Sequence, residues 1–453
     1  MFQTIIGAVS SFMYSKLLVI MLIGAGLYFT IRTRFPQARL FKRACESVME
    51  KPDDKEAISS FQALMVSTAS RVGTGNIVGV SSAICIGGFG SVFWMWVIAI
   101  IGSASALIES TLAQIYKRKG KDGECYGGPA YYIEAALHCR PLAIIFCISM
   151  IATYAFGFNM LASYNLQSTF SGFSFYDVKW TPWIIGGILA VITGWCLLGG
   201  GSRIVKVTST LVPAMGVAYI LISVIVMIIN RAYLPVVFSK IISEAFDFKA
   251  IFGAFAGSAM MQGIRRGLYS NEAGIGSAPN ASASAQVSHP IKQGLVQMLS
   301  VFIDTLLLCT ATAMMCLSSG IAPAQELQGA PWVQAALHES LGNFGPLFIT
   351  VAMVLFAFTT LLGNCFYCDN LLNYIHKGQP SKTFMKGFRI VSALVVFIGA
   401  GMEVSMLWNI SDVLMGVMAL INIPVILILS NTALKALEDY EKQKKNGKNP
   451  VFK

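Results

Sequence analysis

Two stretches decide the reading of this chain. The first is Ser67-Thr-Ala-Ser-Arg-Val-Gly-Thr-Gly-Asn-Ile-Val-Gly79. The second, about 200 residues later, is Gly263-Ile-Arg-Arg-Gly-Leu-Tyr-Ser-Asn-Glu-Ala-Gly-Ile-Gly-Ser-Ala-Pro279. Each interrupts an apolar run with glycines, hydroxyls, amides and charges. Neither can be a plain lipid-facing helix. Irregular backbone at membrane depth survives only where protein buries it or where it lines a cavity.

The rest of the chain supplies the membrane. Of 453 residues, 55% are apolar and 12% charged, where a soluble domain carries about 25% charged residues. A span needs about 20 apolar residues. About eleven stretches qualify: 14–31, 61–86, 90–115, 141–171, 182–198, 208–230, 250–284, 293–318, 339–373, 387–404 and 408–434. The segments 141–171, 250–284 and 339–373 exceed one bilayer thickness, so tilt, a break or an extension is expected there. Arg32-Thr33-Arg34 reads as a stop-transfer signal, so the first helix is expected to be retained.

The expected fold class is an all-α polytopic membrane protein. Residues 1–60 supply an extra N-terminal helix and loop, 61–230 a first five-helix repeat, 250–434 a second, and 435–453 a basic tail. Each interrupted stretch opens one repeat. Five is odd, so the second repeat inserts upside down relative to the first. Inverted repeats with discontinuous helices are the mark of secondary transporters.

Orientation follows from lysine and arginine. With the N-terminus outside and the C-terminus inside, 25 of the 33 basic residues fall in the loops 32–60, 116–140, 199–207, 285–292, 374–389 and the tail. Only Lys16, Lys179, Arg231, Lys240 and Lys249 fall outside. That asymmetry also accounts for the net charge of +11. No basic, aromatic-laced surface points to nucleic acid. The ten cysteines are scattered, mostly in apolar runs. Cys365-Phe-Tyr-Cys368 has no second pair or histidine cluster, and reads as packing rather than a metal or redox centre. No HExxH or GxSxG motif suggests an enzyme.

At three places the sequence resembles the alanine/glycine:cation symporter family, also called sodium:alanine symporters. They are Arg71-Val-Gly-Thr-Gly-Asn-Ile-Val-Gly79, Gly127-Gly-Pro-Ala-Tyr-Tyr132 and Ser270-Asn-Glu-Ala-Gly-Ile-Gly-Ser-Ala-Pro-Asn280. The resemblance covers nearly the whole chain. It implies a LeuT-type 5+5 fold in the bacterial inner membrane. It also implies sodium-coupled uptake of a small neutral amino acid, alanine or glycine first, by a monomer in membrane lipid. A larger neutral amino acid such as serine or glutamine is the alternative, as is proton coupling on the same fold. Proton coupling could use a lysine on the fifth core span, but Lys206 lies at that span's start and 208–230 holds no charge.

The resemblance also assigns roles. Gly73, Thr74, Gly75 and Asn76 are expected to bind the amino acid at the first break, and Gly274, Ile275, Gly276 and Ser277 at the second. Free N–H groups at half-helix ends suit a carboxylate. Gln167 is expected to add a polar contact. Asn364 stands where many family members have a pocket-lining tryptophan, which argues for a roomier or more polar site. Thr359 and Thr360, with the carbonyls near Ala69 and Val72, are the expected sodium ligands. Arg71, Glu109, Arg265, Arg266, Glu272 and Asp304 are expected to act as gating or structural charges, because intramembrane ions usually pair or line water.

Overall fold

The structure is a computed structural model and describes residues 2–50, 57–120, 124–247 and 258–452. In chain order the helices are α1 (Gln3–Arg32), α2 (Phe41–Val48), α3 (Ser60–Arg71), α4 (Val80–Gly87), α5 (Gly90–Ile115), α6 (Pro129–Leu137), α7 (Arg140–Ser168), α8 (Thr181–Leu198) and α9 (Gly200–Ile229). They continue as α10 (Leu234–Ala245), α11 (Ala259–Asn271), α12 (Ala278–Ser284), α13 (Pro290–Ser318), α14 (Ala330–Leu341), α15 (Phe344–Ile375), α16 (Lys382–Ala400), α17 (Val404–Ile428) and α18 (Ser430–Lys445).

Among the described residues nine helices are long and apolar enough to cross a membrane: α1, α5, α7, α8, α9, α13, α15, α16 and α17. The expected spans 61–86 and 250–284 are divided instead, into α3 with α4 and α11 with α12. The start of 250–284 lies outside the described residues. Of the three over-long segments, α7 stays continuous through a π-helical turn at Ala152–Gly157, and α15 runs unbroken for 32 residues.

Local chemistry explains both divisions. Helix α3 opens on a reciprocal cap: Gln62 N–H donates to Ser59 Oγ, and Ser59 N–H donates to Gln62 Oε1. It stops at Val72, whose ψ of 84° leaves the helical region. Helix α11 stops at Glu272, whose φ is +54°. Gly274 and Gly276 follow at φ +84° and +89°, conformations that glycine adopts without a Cβ penalty. Pro279 then sits in the first turn of α12, where its missing N–H costs nothing.

Two short helices repeat a local design. Gly128 (φ +120°) precedes Pro129 at the start of α6, and Gly329 (φ +93°) precedes Ala330-Pro331 at the start of α14. Each lies between the second and third helices of its expected repeat. Each rests on the broken segment of the other repeat. Pro129 packs on Gly276, while the Gly329 N–H donates to Ser81 Oγ at 2.9 Å, in the first turn of α4.

Helix α5 is buried along most of its length, between α11, α13 and α1. Helices α8, α9 and α16 carry exposed apolar side chains such as Ile188, Val191, Leu221, Ile228 and Leu394. A broad apolar exterior of this kind belongs against lipid. The described residues of the basic segments gather at one end of the bundle. Arg39 pairs with Glu441 at 2.7 Å and Lys292 with Glu50 at 2.6 Å. The Gln286 N–H donates to the Ile58 carbonyl, and the Phe452 N–H to the Ser288 carbonyl.

Candidate transport site

In a continuous helix the Gly73 N–H would bond the Ala69 carbonyl. It donates instead to Asn76 Oδ1 at 2.9 Å. The Asn76 N–H, due to the Val72 carbonyl, bonds that of Gly73 at 3.2 Å. The carbonyls of Ala69 and Val72 thus lose their helical donors, which unwound backbone offers to a hard cation.

Helix α15 closes on this point. A Cβ on Gly73 would collide with Thr360 Oγ1, and one on Gly363 would lie 2.6 Å from the Ser70 nitrogen. Only glycines permit this approach. Thr360 Oγ1 is buried and has no hydrogen-bond partner among the described residues. Thr359 Oγ1 donates back to the Leu355 carbonyl at 3.0 Å. The two threonines therefore differ: the hydroxyl of Thr360 is free for a ligand, and that of Thr359 is engaged.

At the second break, Glu109 on α5 accepts the Gly274 N–H on Oε1 at 3.2 Å and the Gly276 N–H on Oε2 at 3.1 Å. Asn422 on α17 donates to Glu109 Oε2 and to the Gly274 carbonyl. Ile275 is fully buried between them. A Cβ on Gly276 would lie 2.8 Å from both Phe146 and Pro129, so α6 and α7 cover this break. Ser277 Oγ donates to Glu272 Oε2 at 2.7 Å.

A polar node joins the breaks. Asn76 Nδ2 donates to Asp304 Oδ1 at 2.8 Å and to Ser270 Oγ at 3.1 Å. Ser270 Oγ donates to Asp304 Oδ2 at 2.7 Å. Ser70 on α3 donates to Asn364 Oδ1 at 2.7 Å, and Asn364 Nδ2 donates to Asn159 Oδ1 at 2.9 Å. Asn364 thus clasps α3, α7 and α15 together.

Thr74 Oγ1 accepts from Asn165 Nδ2 at 3.1 Å. The amide oxygen of Gln167 accepts from Tyr176 Oη at 2.8 Å, in the loop beyond α7. Asn165, not singled out as a ligand in the sequence, is therefore the α7 amide that meets the first break. Gly75 lies under Tyr269, where a Cβ would come within 2.7 Å of the ring. Tyr269 packs edge-on against Phe158 and Trp408, each at 4.9 Å between centroids.

Arg266 sits 3.8 Å above the Trp408 ring and pairs with Asp412 at 3.2 Å. Arg265 lies 3.9 Å from the same carboxylate. The sequence reading missed Asp412, although an acid within the 408–434 run was the signal for it. Arg71 donates to Gln297 Oε1 at 3.4 Å, while its Nε and Nη2 have no hydrogen-bond partner among the described residues.

Comparison with known proteins fixes what this constellation belongs to. The family described as Sodium:alanine symporter family matches residues 1–453. The chain belongs to that family. It is 44% identical over 453 residues to the amino-acid carrier protein AlsT of Bacillus subtilis, covering 100% of this chain and 95% of that one. It is 36% identical over 455 residues to the sodium/alanine symporter AgcS of Methanococcus maripaludis, covering 98% of each. The crystal structure of MhsT in complex with L-phenylalanine superposes with a TM-score of 0.56 at 14% identity, covering 85% of this chain and 99% of that one. This likeness gives the LeuT-type fold. The protein is a multi-pass membrane transporter, not an enzyme.

Proposed function

We propose that the transporter imports a small neutral amino acid, alanine or glycine, with sodium by alternating access. The observation that carries this reading is the unpartnered Thr360 hydroxyl lying against a break whose Ala69 and Val72 carbonyls have lost their helical donors. Neutral oxygen donors suit a transiently bound alkali ion. The Gly274 and Gly276 N–H groups of the second break are already taken by Glu109, so the amino acid would meet the first break near Gly75 and Thr74, below Tyr269. Sodium orders this break, and the loaded bundle then rocks against the scaffold. The basic end of the bundle faces the cytoplasm, with the N-terminus outside, and one chain suffices. Each positive charge moved inward gains about 2.3 kcal/mol per 100 mV.

Lys206 is exposed on α9, and residues 208–229 of that helix carry no charge, which supports sodium over a lysine-borne proton. A larger neutral substrate remains the second reading, because Asn364 stands where a tryptophan would narrow the site. The test is labelled alanine uptake into proteoliposomes under an imposed sodium gradient, challenged by each amino acid. Stimulation by sodium with competition by alanine and glycine is expected. Stimulation by a pH gradient alone would sink the proposal.

A further inference from the structure

At the basic end of the bundle a cavity of about 730 Å³ opens between the start of α6, the start of α7 and the end of α15. The volume is that of a small-molecule site. Its walls carry Arg118, Lys119, Arg140 and Lys377, and among the described residues that line it Glu134 is the one acid. Glu134 is shared: it lies 3.2 Å from Arg140 and 3.9 Å from Arg118. Among the described residues neither Lys119 nor Lys377 forms an ion pair within 4.0 Å, whereas both arginines share Glu134. Tyrosine rings back the arginines, with Arg118 5.8 Å from the Tyr131 centroid and Arg140 5.5 Å from that of Tyr374.

Lys377 makes the arrangement more specific. It occupies the position after α15 where the chain turns left-handed, at φ +55°. Its N–H bonds the Tyr374 carbonyl and the next N–H bonds that of Asn373. Glycine is the usual residue in such a turn, yet here glycine comes one residue later, at 378. A non-glycine residue in this conformation carries a steric cost from its Cβ. The cost places an ammonium group on the cavity wall. His376, beside it, donates from Nδ1 to the Leu372 carbonyl at 3.0 Å and also lines the cavity.

We propose that this cavity binds a phosphoryl anion. Guanidinium groups match phosphate oxygens in pairs, and lysine adds point charge. Basic pockets between transmembrane helices also hold anionic lipid headgroups. Two sources share this chemistry: a phospholipid headgroup and a free phosphate. The lipid surface is near, because Ile145 and Ile148, on the following turns of α7, are more than half exposed. Occupancy has a route to the transport site. Tyr131 and Tyr374 touch at 5.0 Å, and Pro129, two residues before Tyr131, rests on Gly276. An anion that bridges α6 and α15 therefore holds the cover of the second break in place.

The test uses the full chain in detergent. Phosphatidylglycerol retention is read by native mass spectrometry, and inorganic phosphate by the thermal midpoint at constant ionic strength. The variant is Lys119→Gln with Lys377→Gln, both exposed. A charge-matched control is Lys435→Gln with Lys442→Gln on α18. At least a tenfold weaker response in the first variant, with the control unchanged, is expected. A response to phosphatidylglycerol alone assigns the headgroup, and a response to phosphate alone assigns the soluble anion. Equal loss in variant and control, or no response in the unmodified protein, overturns the proposal.

Discussion

Glu109 holds Gly274 and Gly276 by their main-chain N–H groups, one on each carboxylate oxygen. A side chain from one helix thus caps the interruption in another. Glu109→Gln keeps the size but replaces one accepting oxygen by a donor facing an N–H. Hydrogen bonds to charged groups contribute about 1.5–3 kcal/mol each. Alanine uptake is expected to fall at least tenfold (about 1.4 kcal/mol), with a lowered thermal midpoint in the purified protein. Normal uptake by the Gln variant would show that the clamp is dispensable.

Thr359 and Thr360 should separate. Thr360→Ala removes a buried hydroxyl that lies against Gly73 at the first break and has no partner among the described residues. The half-saturating sodium concentration is expected to rise at least tenfold, and Thr360→Ser should restore most of it. Thr359→Ala removes a hydroxyl already bonded within α15 and should shift it less than threefold. A sodium titration of alanine uptake checks all three. Equal effects at both positions would assign the two hydroxyls the same role.

Gly73 and Gly363 mark the closest approach of α3 to α15. Gly363→Ala places a methyl against the Ser70 backbone, which cannot yield as a flexible side chain would. Overpacking of this kind costs about 1–3 kcal/mol. Uptake should be lost while the protein still reaches the membrane, as surface labelling would report. Gly216→Ala, where a Cβ meets nothing within 4 Å, is the matched control.

Asp412→Asn leaves the Arg265 and Arg266 guanidinium groups without their shared counter-charge. Breaking a buried pair by removing one partner costs about 3–5 kcal/mol. The expected result is a marked drop in thermal stability and a faster loss of bound substrate. Dissociation of labelled alanine from the purified protein measures the latter, and an unchanged rate would argue that the pair is only structural.

His289 lies in the loop before α13, bonded to Asp439 at 3.2 Å and edge-on to Tyr440 and Phe452. Burial holds its pKa below the usual histidine value, against the pull of Asp439 and with Lys292 adding to the depression. The folded state therefore favours the neutral ring. The unfolded chain takes up the proton first, so the stability contributed here is present above about pH 6.5 and lost as pH falls. The protection factors of residues 449, 451 and 452 against hydrogen exchange, corrected for the intrinsic pH dependence of exchange, should be lower at pH 5 than at pH 7.5, and less so in His289→Asn.

The interruptions themselves were legible because glycine and polar residues cannot cross lipid unassisted. The charges were legible too, since Arg71, Glu109 and Asp304 stand out in apolar runs. Their partners were not. Glu109 meets Gly274 across 165 residues, a pairing that only packing decides. Gln167 and Asn165 differ by two positions, about 200° around a helix, and sequence alone does not fix that angle. The acid at 412 was visible, but it was overlooked beside the longer apolar run.

The matched stops at Gly128-Pro129 and Gly329-Ala-Pro331 bear on leakage. A carrier wastes its ion gradient if both ends open together. Here each half of the molecule supplies the stop that bears on the other half's interruption. In the alternating access proposed above, a rotation that lifts one stop would seat the second by the same movement. The insulation between the two compartments is thus a property of how the halves are interleaved, and a defect in either short helix should appear as uncoupled sodium flux before it appears as lost uptake.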